Sequence, residues 1–279
     1  MKTSNSSPTI TVQNIHAVSI GRTGAAYMEA LVRTGEIEDL LAIEGATFSA
    51  LMLDIGDDDT LVPSDYARSL KTRLISRGID PTRFHYESIN LSIPEKSALG
   101  TIPKGAKLPK AGDHIPRSIA KAVFGAHAPD IAGAIDRFTE NVRKSKFDST
   151  VFVAFGMAGG TGSGTAVGIA EQLRSRLNAN AQIVGIGQLS HSGDGSYYNN
   201  ATQYQALEAV DAAISAPKKV FDGGFFLVSA EQSWQRLSAY TSTGLKEVRQ
   251  RFKQMVTNRF VADSFMRWAL SSDSSHLLR

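Results

Sequence analysis

At 279 residues, with 42% hydrophobic and 20% charged side chains, the chain has the composition of a globular protein with a sizeable core, as one large α/β domain or two small ones. A formal charge of +3 gives no footing for a nucleic-acid partner, and the absence of cysteine excludes disulfides and thiolate metal sites, in keeping with a reducing, cytoplasmic setting. Residues 1–8 are polar, lack the apolar segment of a signal peptide and read as a disordered lead-in; no apolar run approaches the ~18 residues that span a bilayer.

Residues 9–20 are strand-like and run into Gly21-Arg22-Thr23-Gly24. Residues 25–33 predict a helix closed by Gly35, and Phe48–Ile55 a second strand, followed by the acidic turn Gly56-Asp57-Asp58-Asp59. Residues 65–76 are amphipathic, with Tyr66, Leu70 and Leu74 on one face, and Gly78 stops them; residues 83–91 read as a third strand. Residues 92–114 hold four lysines, three prolines and three glycines without any period, which predicts a long loop of the kind that often carries function. Residues 115–143 read as helix broken near Ala128-Pro129. Residues 150–155 and 182–189 are core strands on either side of a helix at 167–177. A helix at 201–214, a strand at 224–229 and a long helix at 245–270 complete the chain, the last with Leu245, Val248, Phe252, Met255 and Val256 at helical spacing. This alternation predicts a three-layer, Rossmann-like α/β fold, a mostly parallel sheet with helices on both faces.

Between the strand at 150–155 and the helix at 167–177 lies the most informative run, Gly156-Met157-Ala158-Gly159-Gly160-Thr161-Gly162-Ser163-Gly164-Thr165-Ala166. Strand, glycine loop, helix is the order that aims backbone N–H groups at an anion, with the helix dipole behind them. Glycine permits positive φ and a close approach to a ligand, and Thr161, Ser163 and Thr165 add hydroxyl donors. No lysine follows, so the run is not a GxxxxGK[ST] loop, and amides and hydroxyls must hold the phosphate.

The run resembles the glycine loop of the tubulin/FtsZ superfamily, Gly-Gly-Gly-Thr-Gly-Ser/Thr-Gly, with Ala158 in place of the first glycine and Gly159-Gly160-Thr161-Gly162-Ser163-Gly164 matching the rest. The resemblance implies a domain at 9–244 that binds GTP or GDP with Mg2+, and a core helix with its tail at 245–279. It places Gly21, Arg22, Thr23 and Gly24 at the first phosphate loop, a stretch poorer in glycine than the family pattern. It also places Asp54, in Leu53-Asp54-Ile55-Gly56-Asp57, after the second strand, and Ala111, Gly112 and Asp113 at the loop that faces the terminal phosphate. In the family the long helix leads to a catalytic loop, Asn-x-Asp-x-x-Asp/Glu, and a second domain. Here Asn258 and Asp263 stand at the wrong spacing and the sequence ends at Arg279. The resemblance therefore implies weak or partner-dependent GTP hydrolysis, no named catalytic residue, and no tubulin-type filament from this chain alone.

Several positions leave alternatives open. Asp54 contacts magnesium or the ribose, or caps a strand; Asp57, Asp58 and Asp59 are solvated turn charges or metal ligands. Arg22 reaches a phosphate or lies on the surface. Tyr240 stacks on guanine or sits in the core, and Glu231, with Gln232 beside it, accepts from the guanine edge. Asn199 and Asn200 touch the ribose or cap a helix. Lys96, Lys104, Lys107 and Lys110 form a basic loop, solvated or docking an acidic partner. The six histidines show no zinc spacing, and Ser163 has no nearby histidine base in sequence. Two functions from other classes compete with a guanine-nucleotide GTPase. One is a non-hydrolysing, nucleotide-dependent scaffold that binds a protein partner or self-associates. The other is an NAD-type enzyme using Gly21-x-x-Gly24 and Asp54, against which stands the missing G-x-G-x-x-G.

Overall fold

The computed structural model describes residues 13–56, 58–99, 102, 105, 107–110, 114–194, 200–241 and 250–271. Six parallel strands form one sheet in the order β3-β2-β1-β4-β5-β6: β1 (Asn14–Ile20), β2 (Phe48–Ile55), β3 (Phe84–Leu91), β4 (Ser149–Gly156), β5 (Ala181–Gln188) and β6 (Phe225–Val228). Every residue of β2 and of β4 is buried, as a parallel sheet covered on both faces requires.

The strand period of two sorts the core into two layers. Val18 and Ile20 of β1, Leu51 and Leu53 of β2, and Val151, Val153 and Phe155 of β4 face one side. There they meet α4 (Arg117–Ala126), α5 (Ala128–Arg143), α6 (Gly160–Arg176) and α7 (Asn200–Ser215). Ala17, Phe48, Ala50, Phe152 and Ala154 face the other side, under α1 (Gly21–Arg33), α2 (Glu36–Ala42), α3 (Asp58–Ser76) and α9 (Gln250–Leu270). The last helix before α9 is α8 (Glu231–Thr241). The three-layer architecture matches the sequence expectation, including the break between α4 and α5 at His127.

The differences lie at helix starts. The helices expected at 25–33, 65–76 and 167–177 begin at Gly21, Asp58 and Gly160 instead. The glycines of the two expected phosphate loops therefore belong largely to first helical turns. Helices α2 and α8 have no counterpart in the sequence reading, because each is short and its apolar positions too few to show a period. In α9 the expected apolar stripe is not the packing face. Phe252 and Met255 are exposed, Leu245 and Val248 fall outside the described residues, and Val261, Ala262, Met266 and Ala269 are buried instead. Spacing alone locates an apolar stripe and leaves open which stripe meets the core.

At the opposite end of the sheet from the helix starts, His16 of β1 is fully buried, its Nδ1 accepting from the Ser49 N–H at 3.0 Å and its ring edge-on to Phe138. Burial pulls its pKa down to about 3, so the fold admits only the neutral ring. The unfolded chain takes up this proton below about pH 6.5 and the folded chain does not until about pH 3, so stability falls as pH drops through that window. The slope expected from this one group is ~1.4 kcal/mol per pH unit. Urea unfolding at pH 7, 5.5 and 4.5 should show wild type losing stability relative to His16→Asn, whose Oδ1 replaces Nδ1 as acceptor, because every other titrating group is common to the two proteins. Parallel losses in both proteins would place the titrating group elsewhere.

Candidate functional site

Strands β1 and β4 are neighbours in the sheet, and the helices that follow them leave to opposite faces. This is the switch point at which open α/β sheets bind ligands beyond the carboxyl ends of their strands. Both helix starts lack a side-chain cap and an acidic residue in the first turn. In each, the first N–H groups have no intrahelical acceptor; in α6 the Ser163 N–H reaches the Gly159 carbonyl at 3.2 Å, and the amides before it precede the ladder. The two starts touch. A Cβ placed on Gly21, which has φ +72°, would lie 3.5 Å from Thr161 Cβ and 3.6 Å from the Gly162 nitrogen; one on Gly156 would lie 2.7 Å from Thr23 Oγ1. The starts of α1 and α6 thus bring two helix dipole ends together at one place, with the amides of Gly160, Thr161 and Gly162 ahead of the α6 ladder.

The glycines of α6 act through space and not through positive φ, which none of those from Gly156 to Gly164 adopts; this corrects the conformational role expected for them. Gly160 and Gly164, one turn apart, face the start of α4, where a Cβ would fall 1.7 Å from the Ile115 carbonyl oxygen and 3.0 Å from that of Arg117. Gly162 faces the opposite way, its Cβ position 3.0 Å from Phe155 Cβ and 3.1 Å from the Gly156 backbone. Thr161, Ser163 and Thr165 alternate with these glycines and are buried: Thr165 Oγ1 donates to the Thr161 carbonyl at 2.7 Å, while Ser163 Oγ is buried without a hydrogen-bond partner. An orphaned hydroxyl costs stability unless a ligand pairs with it.

On the α1 side, Arg22 Nε donates to Asp59 Oδ1 and Oδ2 at 3.1 and 3.0 Å. Asp54, 4% exposed at the end of β2, accepts from its neighbour's amide, Ile55 N–H, at 2.7 Å. Its pKa is pushed up to about 7, first by burial and then by the Asp59 charge, against the pull of the Ile55 amide and Arg22. His114 lies in the same neighbourhood, its pKa lowered by burial and by the Arg22 charge. Among the described residues no group of three or more His, Cys, Asp or Glu is arranged to hold a metal ion.

The other expected residues are elsewhere or outside the description. Glu231 opens α8 and accepts from Ser192 N–H at 2.7 Å, Ser192 Oγ at 2.8 Å and Gln235 Nε2 at 2.8 Å, bonds that hold its carboxyl below the usual range. It ties down the loop after β5, where His191 stacks on Trp234 with ring centroids 5.0 Å apart. Tyr240 falls in the last turn of α8, and its side chain lies outside the described residues, as do Ala111, Gly112, Asp113, Asp57 and Asn199. Sequence reasoning missed Ile115 and Arg117, distant in the chain from the turns they touch and marked by no local pattern, and it read Asp59 as a turn charge or metal ligand without its partner Arg22. It also missed the buried chain in which Tyr27 O–H donates to Gln188 Oε1 at 3.2 Å and Gln188 Nε2 to Asn258 Oδ1 at 2.7 Å, joining α1, β5 and α9.

The glycine contacts make a paired prediction. Gly160→Ala should destabilise the fold by about 1–3 kcal/mol, since its Cβ meets backbone that cannot swing aside. Gly168→Ala, in the same helix with nothing within 4 Å of its Cβ position, should stabilise it by roughly 0.5–1 kcal/mol. Denaturant unfolding measures both; a Gly160→Ala protein as stable as wild type would mean that α4 does not press on this turn.

Residues 108–258 match the family described as tubulin-like. No curated protein sequence matches the chain. Among solved structures, CetZ from Methanosaeta thermophila strain DSM 6194 is similar at a TM-score of 0.52 and 18% identity, over 95% of this chain and 57% of its own. CetZ2 from Haloferax volcanii, a GTPγS-bound protofilament, gives 0.53 and 15%, over 95% and 61%. TubZ of Bacillus thuringiensis serovar israelensis, a GTPγS-form protofilament, gives 0.50 and 13%, over 94% and 56%. The chain spans about three fifths of the length of these proteins, and at such identities the likeness is one of fold. With more than half of its length matched by the family, and with that fold, the chain belongs to the tubulin-like family.

Proposed function

We propose that the chain binds a guanine nucleotide, GTP or GDP, with the phosphates on the amides at the meeting of α1 and α6. The observation that carries this is the junction itself: two uncapped helix starts in contact at the β1/β4 switch point, with the buried hydroxyl of Ser163 lacking a partner in the first turns of α6. Helix dipoles and amides hold an anion there without a lysine. The guanine base and the protofilament are named in the structures of relatives, and come to this chain by family membership. Self-association, or docking of a protein partner on the same face, is proposed by the same route.

A magnesium ion fits this arrangement through Asp54, with phosphates and water as the other ligands, the donor set that magnesium takes beside nucleotides. The carboxyl titrates near neutrality, so ion and proton compete for it. A bound ion would neutralise phosphate charge; the chain's own part is to orient the phosphates and keep their amide donors in place. Ala111, Gly112 and Asp113 join the site by resemblance alone. For Glu231 and Tyr240 as readers of the base, support is weaker, since Glu231 already holds Ser192. No side chain is assigned to orient an attacking water. Binding is proposed as the activity, with slow hydrolysis. Among the described residues no helix is long and apolar enough to cross a membrane.

Thermal shift with GTP, GDP, ATP and NAD at equal concentration separates this from dinucleotide chemistry, which shares the strand order. At a hundredfold excess over Kd, guanine nucleotides should raise Tm by about 5–10 °C. A larger shift with NAD would overturn the proposal. Ser163→Ala should act with opposite signs: the empty protein becomes more stable by about 1 kcal/mol, because a buried orphan hydroxyl is gone, while GDP binds roughly tenfold more weakly. Unchanged affinity would remove Ser163 from the site.

A further inference from the structure

Arg22 is the only basic residue in the first turn of α1, next to the Gly21 that faces Thr161 and the Gly162 nitrogen. Its guanidinium is engaged by the carboxylate of Asp59 from the first turn of α3, with side chains 34% and 25% exposed. We propose that Asp59 is an intramolecular competitor for the phosphate, and that Arg22 leaves Asp59 to pair with a bound nucleotide, so that Asp59 sets the affinity of the site for a polyanion. This rests on the nucleotide site proposed above and adds to it a residue that touches no ligand.

Three observations support the exchange. The pair is neutral as a unit, so the guanidinium offers an arriving anion little net attraction until the pair opens. It is partly exposed, and ion pairs of that kind are weak in water. A phosphate offers the guanidinium a doubly charged partner with matching fork geometry, whereas the Asp59 carboxylate is singly charged and sets both of its oxygens on Nε. The charges of Arg22 and Asp59 are felt together by Asp54, and that of Arg22 by His114, which puts the pair at the centre of the local field.

Calorimetric titration of GDP and of inorganic pyrophosphate into wild type, Asp59→Asn, Arg22→Gln and the double variant tests it, with circular dichroism to check the fold and Asp59→Ser as a second replacement. Asp59→Asn should bind both ligands about fivefold more tightly. Arg22→Gln should bind them about tenfold more weakly, and adding Asp59→Asn to it should restore nothing. Equal or weaker binding by both Asp59 variants, while wild type binds GDP, overturns the competitor and leaves the nucleotide site standing. The same gain in the Arg22→Gln background overturns it too, since it would be a general charge effect. Absence of binding in wild type overturns both.

Discussion

The close approach of α6 to the strand it leaves and to the start of α4 is the constraint on which the rest depends. Gly162 against the Gly156 backbone, and Gly160 against the Ile115 carbonyl, bring the first turn of α6 closer than any side chain permits. That approach seats Thr161 beside Gly21 and turns two separate helix starts into one junction. A glycine in a helix interior weakens the helix by up to about 1 kcal/mol relative to alanine, and three occur here within five residues. The packing they allow has to exceed that loss, and the polar result, amides and a buried hydroxyl without internal partners, is a further liability that a bound anion would relieve.

Around this junction the fold is tied by interactions that reach from α1 to the carboxyl-terminal helix. Glu29 of α1 receives Arg259 at 2.8 Å and Arg33 at 3.6 Å, and Arg33 reaches Asp263 at 2.8 Å. Beneath them runs the chain of Tyr27, Gln188 and Asn258. Phe226, Phe265 and Trp268 pack with centroids 5.4 to 5.6 Å apart and join β6 to α9. The loop after β5 is fixed in turn to α8 by Glu231 and to α9 by Gln254, whose Nε2 donates to the Gly193 carbonyl at 2.7 Å. The helix that bears the junction's amides and the helix that closes the sheet are thus held as one unit.

Much of the architecture was legible because local chemistry and global packing agree. Buried parallel strands leave continuous apolar runs such as Phe48–Ile55, and the glycine run lies between β4 and α6 as its place between a strand and a helix predicts. What was not legible depends on partners remote in the chain. Glycine-rich first turns look like loops until Ile115 and Gly156 are seen to need the space. Asp59 looks like one of three turn acids until Arg22 is found on it. Phe252 and Met255 share the spacing of a core stripe yet face solvent, because the buried side of α9 is chosen by α1 and β6. Glu231, expected from the resemblance to accept from a base, is bonded to Ser192, a partner 39 residues away that no local pattern announces.

The strand order is shared with dinucleotide-binding sheets, so the fold alone does not choose the ligand; the proposal of a nucleotide whose phosphates rest on backbone draws on family membership and on the paired helix starts. Backbone amides that lack an internal acceptor exchange quickly with solvent, and a ligand that accepts from them slows that exchange. Hydrogen–deuterium exchange with and without GDP therefore reads the junction itself. Slowing should concentrate in peptides covering residues 20–25 and 158–164. Nucleotide-dependent protection that spares both segments, or confines itself to the loop after β5, would contradict the assignment.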